Sequence, residues 1–426
     1  MSSILDVKFD KYSILWFFVI TYVLIDCITG FTVQQIGIDL KLSQLLKVAL
    51  FVTFVIYVIE YNVKLSLLLV FLLLWLLVNP TRMVFSYNSF NALSYDFPAA
   101  LRVFMIILSP VFFVLFAKQN HDKFLVYARR TMHFSFVVIC LNILSGYLGF
   151  GFHTYPVAEV GFKGFFFAGN ELSALFILFS SFFLFEVWEK KGISISYFIW
   201  SVFVLFTGYS IGTKTGAFFG LISVFMIPLA SYAAKGNGIK VLSTIVFSSL
   251  VLVISFYLMF SLIQNTVLYE KFSWILENRG LSGLIFSGRD RYLFDFFDRM
   301  DNSQGILSFI FGIGSGVPQY QFKTIEIDFF DLVMYFGIPT AFLYFIFAIF
   351  SVLAPLILLT KRPYAPVLLV VNFTFLFLSF LSGHIWTSGM LGIGWGVFNA
   401  FLVIKEATPN SPEFSESSDG YYQYQK

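Results

Sequence analysis

Apolar runs separated by short polar breaks recur along almost the whole chain. A membrane-spanning helix needs about 20 mainly apolar residues. Twelve such runs can be read, at 12–30, 42–59, 64–79, 99–116, 131–150, 169–188, 196–210, 215–233, 241–262, 329–353, 365–382 and 389–405. Those at 64–79 and 196–210 are short for a span, and 31–41 reads as an interfacial stub. The pattern predicts an all-α polytopic membrane protein with about 12 transmembrane helices and one long polar insert between the ninth and tenth. The partition is 1–262 for spans one to nine, 263–328 for a large outer loop containing amphipathic helices, and 329–405 for spans ten to twelve. A tail at 406–426, rich in Ser, Glu and Tyr, is expected to be a disordered cytoplasmic end. No cleavable signal peptide is expected, because the first apolar run is of full length and lacks a small-residue cleavage site. No periodic repeat divides the chain, so one membrane domain is the simplest organisation.

Composition narrows the class. Charged residues are 12% of the chain and the mean hydropathy is +0.84, against about 25% charged residues in an ordinary soluble domain. A soluble globular protein and a disordered chain are both excluded. With a net charge of +3 and no basic tract, so is a nucleic-acid partner. Cys27 and Cys140 lie in apolar runs and offer neither a disulfide framework nor zinc-site spacing.

The placement of Lys and Arg orients the bundle. With the N-terminus inside, fifteen of the 27 cations fall on inner segments, among them Arg129, Arg130, Lys190, Lys191, Lys361 and Arg362. Six fall on short outer loops and their flanks (Lys41, Lys47, Arg82, Arg102, Lys163 and Lys214). The remaining six lie in the long outer loop, which does not count in this rule. Both termini are therefore expected to be cytoplasmic.

That long loop holds six cations and eight anions in about 66 residues. It reads either as an ordinary solvated loop or as an outward-facing working surface. Ser287-Gly288-Arg289-Asp290 looks like a helix start with Ser287 as N-cap. Beyond it Tyr292, Leu293, Phe296, Phe297 and Met300 form an apolar stripe opposite Arg291, Asp295, Asp298 and Arg299, as in a helix lying on the bundle. Arg289 would sit in the first turn of that helix, where free N–H groups already attract anions. It either helps hold an anion there or pairs with Asp290 or Asp328. Phe311 to Gly316 is a glycine-rich bend, a flexible turn or a place where backbone amides approach a ligand. Glu326-Ile327-Asp328-Phe329-Phe330-Asp331 then brings three carboxylates to the outer mouth of a span. Asp331 would stand inside the helix, where an unpaired charge is costly.

Three further polar stretches mark the same side. The segment 161–172, GFKGFFFAGNEL, enters the sixth span with Asn170 and Glu171. Gly212-Thr213-Lys214-Thr215-Gly216 joins spans seven and eight, and Ser382-Gly383-His384-Ile385-Trp386 joins the last two. Singly, each has a plain reading: Lys214 snorkels, Glu171 partners it, and His384 is an interfacial histidine. Their convergence on one face favours an outward-facing site.

The order GFFFAGNEL, GTKTG, SGRDRY in a long outer loop, a glycine-rich bend and EIDFFDLVMYFGI resembles the bacterial O-antigen polymerase and O-antigen ligase superfamily. The likeness runs over about 160–395, and the first 150 residues match only in being spans. No single motif is diagnostic; their order is moderately specific. The resemblance implies a metal-independent membrane glycosyltransferase of the bacterial cytoplasmic membrane, without a cofactor. Its substrate would be an undecaprenyl-pyrophosphate-linked oligosaccharide in the outer leaflet. An acceptor hydroxyl would attack the anomeric carbon with inversion, and undecaprenyl pyrophosphate would leave. A flippase and a chain-length regulator are the expected partners, besides membrane lipid. A departing pyrophosphate gathers charge that fixed guanidinium groups stabilise. Arg289 is the expected clamp, with Arg291 in reserve and Lys214 where many members carry an outer basic residue. Asn170 and Glu171 are further substrate-binding candidates. Asp328 or Glu326 would orient or deprotonate the acceptor, with His384 as another candidate.

One departure separates the branches. The ligases carry a histidine followed by asparagine where this chain has Glu326–Phe329, and none of His121, His133, His153 and His384 lies in 263–328. That favours the polymerase over the ligase. A lipid-linked oligosaccharide flippase is the alternative from another class. It would need ionisable residues along a mid-membrane path, and the spans offer chiefly Asp26.

Overall fold

The computed structural model describes residues 11–87, 90–156, 159–246, 267–286, 289–302, 305–314 and 325–405, with the single positions 249, 253 and 257. Helices α1 to α5 cover Lys11–Phe31, Leu42–Tyr61, Val63–Tyr87, Asn91–Gln119 and His121–Tyr147. Strands β1 (Phe152–Tyr155) and β2 (Val160–Gly164) follow, then α6 (Gly169–Lys191), α7 (Ile195–Ser210) and α8 (Lys214–Ala234). After these come α9 (Val267–Phe286), α10 (Arg289–Asn302), α11 (Ile306–Phe311) and α12 (Asp328–Phe336). The chain ends in α13 (Ile338–Ile357), α14 (Ala365–Leu381) and α15 (Gly389–Ala400). A π-helical turn, Thr32–Ile36, extends α1.

The protein is an all-α polytopic membrane protein. Among the described residues eight helices are long and apolar enough to span a bilayer, and α7, α14 and α15 are shorter apolar helices. The expected ninth span, 241–262, lies largely outside the described residues, as does the tail after Lys405. The short antiparallel hairpin β1–β2 was not expected; it pairs His153 with Phe162 and Tyr155 with Val160. The expected span 329–353 divides in two. Gly337, at φ 83° and ψ 170°, breaks the helix between α12 and α13. The nine residues of α12 rise only about 13 Å, too little to cross a membrane.

Packing follows the need for small residues where helices meet without a hydrophobic drive. Along α15, Gly389 meets Arg102, Gly392 meets Ile106 and Gly396 meets Ser109, all on α4. A Cβ on Gly396 would stand 2.5 Å from the Ser109 Cβ, so these backbones are close. Aromatic rings fill the space between α1, α2 and α4: Phe54 stacks on Phe112 at 4.1 Å, and Trp16 packs on Phe113 and Phe116. Other large side chains, such as Leu67, Leu68, Phe71 and Leu74 on α3, face outward as lipid contact requires.

Candidate functional site

The first element of the site is α10. Part of its apolar stripe docks: Phe296 and Met300 are buried and Phe296 packs on Phe330 of α12, while Phe297 stays about half exposed. This leaves Arg289, at the start of α10, facing the 326–331 segment. Its Nη2 lies 2.6 Å from Glu326 Oε2, and its Nη1 donates to the Leu381 carbonyl at 3.0 Å. Among the described residues the partner is Glu326 rather than Asp328; the Asp290 side chain, also weighed from the sequence, lies outside the described residues. Only about an eighth of the Arg289 side chain is exposed, and its Nε has no hydrogen-bond partner among the described residues. The guanidinium is thus held from two sides, through one N–H of each Nη.

The second element is the loop joining α14 to α15. Gly383 lies against the Glu326 backbone, so that a Cβ there would stand 2.6 Å from the Glu326 carbonyl carbon. His384, half-buried at φ 63°, is therefore next to the carboxylate segment. Asp328, fully buried in the first turn of α12, accepts the Ile385 N–H at 2.8 Å and lies 3.4 Å from the Thr387 hydroxyl. Burial pushes its carboxyl up to about 6, opposed by His384 and by backbone N–H groups of Ile385, Trp386 and His384. Asp328 is therefore mainly ionised at neutral pH. Asp331 is also buried and accepts the Ile325 N–H at 2.9 Å, with no arginine partner among the hydrogen bonds described. Burial first, and then the neighbouring Asp328, push it up to about 8, so it carries its proton at pH 7.

That last shift has a measurable consequence. A carboxyl raised on folding favours the native state while it stays protonated, so its contribution is complete below about pH 4 and is lost progressively up to about pH 8. Melting temperature should therefore fall as pH rises from 6 to 8 and then level off. The limiting slope is about 1.4 kcal/mol per pH unit for one proton. Asp331→Asn should flatten that slope; an unchanged slope in the variant would remove Asp331 from its cause.

The third element is the N-terminal end of α6. Glu171 accepts a hydrogen bond from Ser388, the N-cap of α15. One half-turn on, Ser173 bonds the Thr213 hydroxyl at 2.6 Å, and Thr213 caps α8 through the Gly216 N–H. Lys214 thus stands exposed in the first turn of α8, close along the chain to that contact. Asn170 is half-buried in the first turn of α6. The structure joins Arg289, Glu326, Asp328, His384 and Glu171 in one chain of contacts through loop 382–388. Lys214 and Asn170 flank its α6 end, and the Arg291 side chain lies outside the described residues.

Sequence reading missed several supports. Thr387 and Ser388 directly follow the SGHIW stretch, so polarity continuing past Trp386 was the available signal. The glycine bend is fixed rather than loose over its described part: Ile313 and Gly314 donate to the Met334 carbonyl at 2.7 and 3.1 Å. Arg82 donates to the Gly312 carbonyl, and Asn79 to the Tyr335 carbonyl at 2.7 Å. The positions from Ser315 to Gly316 lie outside the described residues. Asp26 is drawn to Lys47 at 2.9 Å and to Ser43, which ties the last turns of α1 to the first turns of α2. Among the described residues no three His, Cys, Asp or Glu side chains gather as a metal-ligating group.

A family model described as "O-antigen ligase like membrane protein" matches residues 8–278, well over half of the chain. The match takes in Asn170, Glu171 and Lys214 and ends before Arg289. It also reaches the N-terminal spans, where the sequence motifs carried no likeness. Nothing among curated proteins and nothing among solved structures matches the chain.

Proposed function

We propose, because the chain belongs to the O-antigen ligase-like membrane protein family, that it polymerises a surface polysaccharide from undecaprenyl-pyrophosphate-linked repeat units. The family supports the coarser part, a glycan-transfer role in the membrane on lipid-linked substrate. The finer reading rests on one observation: the Arg289 guanidinium, oriented by Glu326 and the Leu381 carbonyl, with its Nε unsatisfied among the described residues. The reaction takes place at the outer leaflet of the bacterial cytoplasmic membrane.

In this reading the acceptor hydroxyl attacks the anomeric carbon as the bond from that carbon to the pyrophosphate oxygen breaks. The electron pair of that bond leaves with undecaprenyl pyrophosphate, and the configuration inverts. Arg289 stabilises the charge that gathers on the leaving group, where a planar fork fits phosphate oxygens. Lys214, with Arg291, adds positive charge at the outer surface, and Asn170 and Glu171 contact sugar hydroxyls. Glu326 is the better general base of the two carboxylates, since about a quarter of its side chain is exposed while Asp328 is enclosed. When pyrophosphate takes over Arg289, the Glu326 carboxylate is released from its partner and takes up the acceptor proton. Asp328 acts as a positioning residue that fixes 384–388. No metal takes part.

A second reading, the ligase, gains from His384. The chain lacks a histidine in 263–328, yet the fold brings His384 beside Glu326 from another loop. A deletion strain separates the two. A polymerase leaves surface glycan of single repeat units. A ligase leaves none, with polymer accumulating on the lipid carrier, and that outcome would overturn the proposal. Transfer by purified protein on lipid-linked substrate should persist in a chelator, and a need for divalent metal would count against this mechanism.

A further inference from the structure

We propose that the face of the bundle opposite Arg289 binds the phosphate headgroup of an anionic phospholipid, in a lateral groove between α1, α5 and α6. The groove is a cavity of about 580 Å³. One end is basic, with Arg129, Arg130 and Lys190 at its rim, and the other is apolar, with Ile20, Phe134 and Val137. The two ends are ordered along the membrane normal. Arg130, Phe134 and Val137 follow the i, i+4, i+7 spacing of one helical stripe, so charge gives way to apolar surface over about 10 Å. A small soluble anion has no use for that apolar wall; a headgroup with its acyl chain fits both ends.

The basic end is also built. Glu186, 8% exposed on α6, pairs with Arg129 at 3.0 Å and with His133 at 2.8 Å. Arg129 donates in addition to the Tyr364 hydroxyl at 2.5 Å. One buried carboxylate thus orients Arg129, while Arg130 and Lys190 remain as surplus charge at the rim; Lys190 stands 3.9 Å from Glu186. An adjoining cavity of about 460 Å³ shares Arg129 and Lys190 and adds Lys235, Lys361, Arg362 and Lys405. Its only further acid is Glu189, which Lys235 engages at 2.9 Å. Basic pockets between spanning helices are suited to anionic headgroups, each cation near the surface adding about a factor of five to ten.

The test uses the purified full chain in nanodiscs and in detergent. Phosphatidylglycerol should be retained through delipidation and should raise the melting temperature, while phosphatidylcholine does neither. Inorganic phosphate at millimolar concentration should not reproduce the shift; if it does, this is a small-anion site and the lipid assignment falls. The double variant Arg130→Gln/Lys190→Gln changes exposed side chains and spares the Arg129–Glu186 pair. It should fold normally and bind phosphatidylglycerol about twentyfold or more weakly. Lys64→Gln, an exposed cation at the start of α3 and outside the groove, should leave binding unchanged. Equal retention of phosphatidylglycerol by the double variant, or equal loss in Lys64→Gln, would overturn the proposal.

Discussion

Arg289→Ala should abolish polysaccharide chain extension while the protein still accumulates in the membrane at normal level. Removing one fixed donor that serves a developing anion costs about 10²–10³ in rate, and no other guanidinium among the described residues is bonded to both Glu326 and the 381–384 segment. Arg289→Lys should lose nearly as much, because an ammonium on a flexible stem cannot keep the Leu381 carbonyl and a phosphate oxygen together. Protein level and melting temperature distinguish this from a purely structural ion pair. The pair is largely buried, so losing one partner also lowers the melting temperature; a loss of activity per folded protein, measured well below that melting temperature, marks catalysis. Full extension by Arg289→Ala would sink the proposed clamp. Glu326→Gln extends the test. It keeps the size and a hydrogen-bond acceptor for Arg289 but cannot take a proton, so a loss of about 10²–10⁴ would assign the base.

Gly337→Ala should have the largest effect on folding. Gly337 holds φ 83° with ψ 170°, a backbone region essentially confined to glycine. A Cβ there would also run into the Ile310 carbonyl of α11. Strain of this kind costs about 1–3 kcal/mol before the clash is counted, and backbone cannot yield as a flexible side chain would. The expected result is a steep fall in membrane-inserted yield and melting temperature. Gly220→Ala, at a helical position with open space, is the control and should behave like the parent. A normal yield for Gly337→Ala would mean that the α12–α13 break is not required for the fold.

These two positions differ in how far the sequence announces them. Arg289 stood out because it opens an amphipathic stripe in a charged loop, and its partner came from 37 residues away. In the chain Glu326 and Asp328 stand 37 and 39 residues from it, and only the fold separates the two. Gly337 sits inside an apolar run that reads as one unbroken span, because hydropathy sums side chains and does not register φ and ψ. The carboxylates of 326–331 look alike in sequence. Burial separates them: Glu326 stays partly exposed, Asp328 holds a loop and Asp331 keeps its proton. The inner cations are similar. Counting them gives an expected orientation of the bundle, but only the packing of α5 on α6 set Glu186 beside Arg129 and left Arg130 and Lys190 over an apolar wall.

The sequence alone determined that the chain is a polytopic helical membrane protein, since insertion depends on apolar content summed over each local window. It also located the polar stretches that interrupt the apolar runs, through charges too costly to leave in hydrocarbon. Which of those polar groups touch was decided only by the tertiary structure. Hydrogen bonds and ion pairs act over about 3 Å, and the partners that close that distance here stand tens to hundreds of residues apart in the chain.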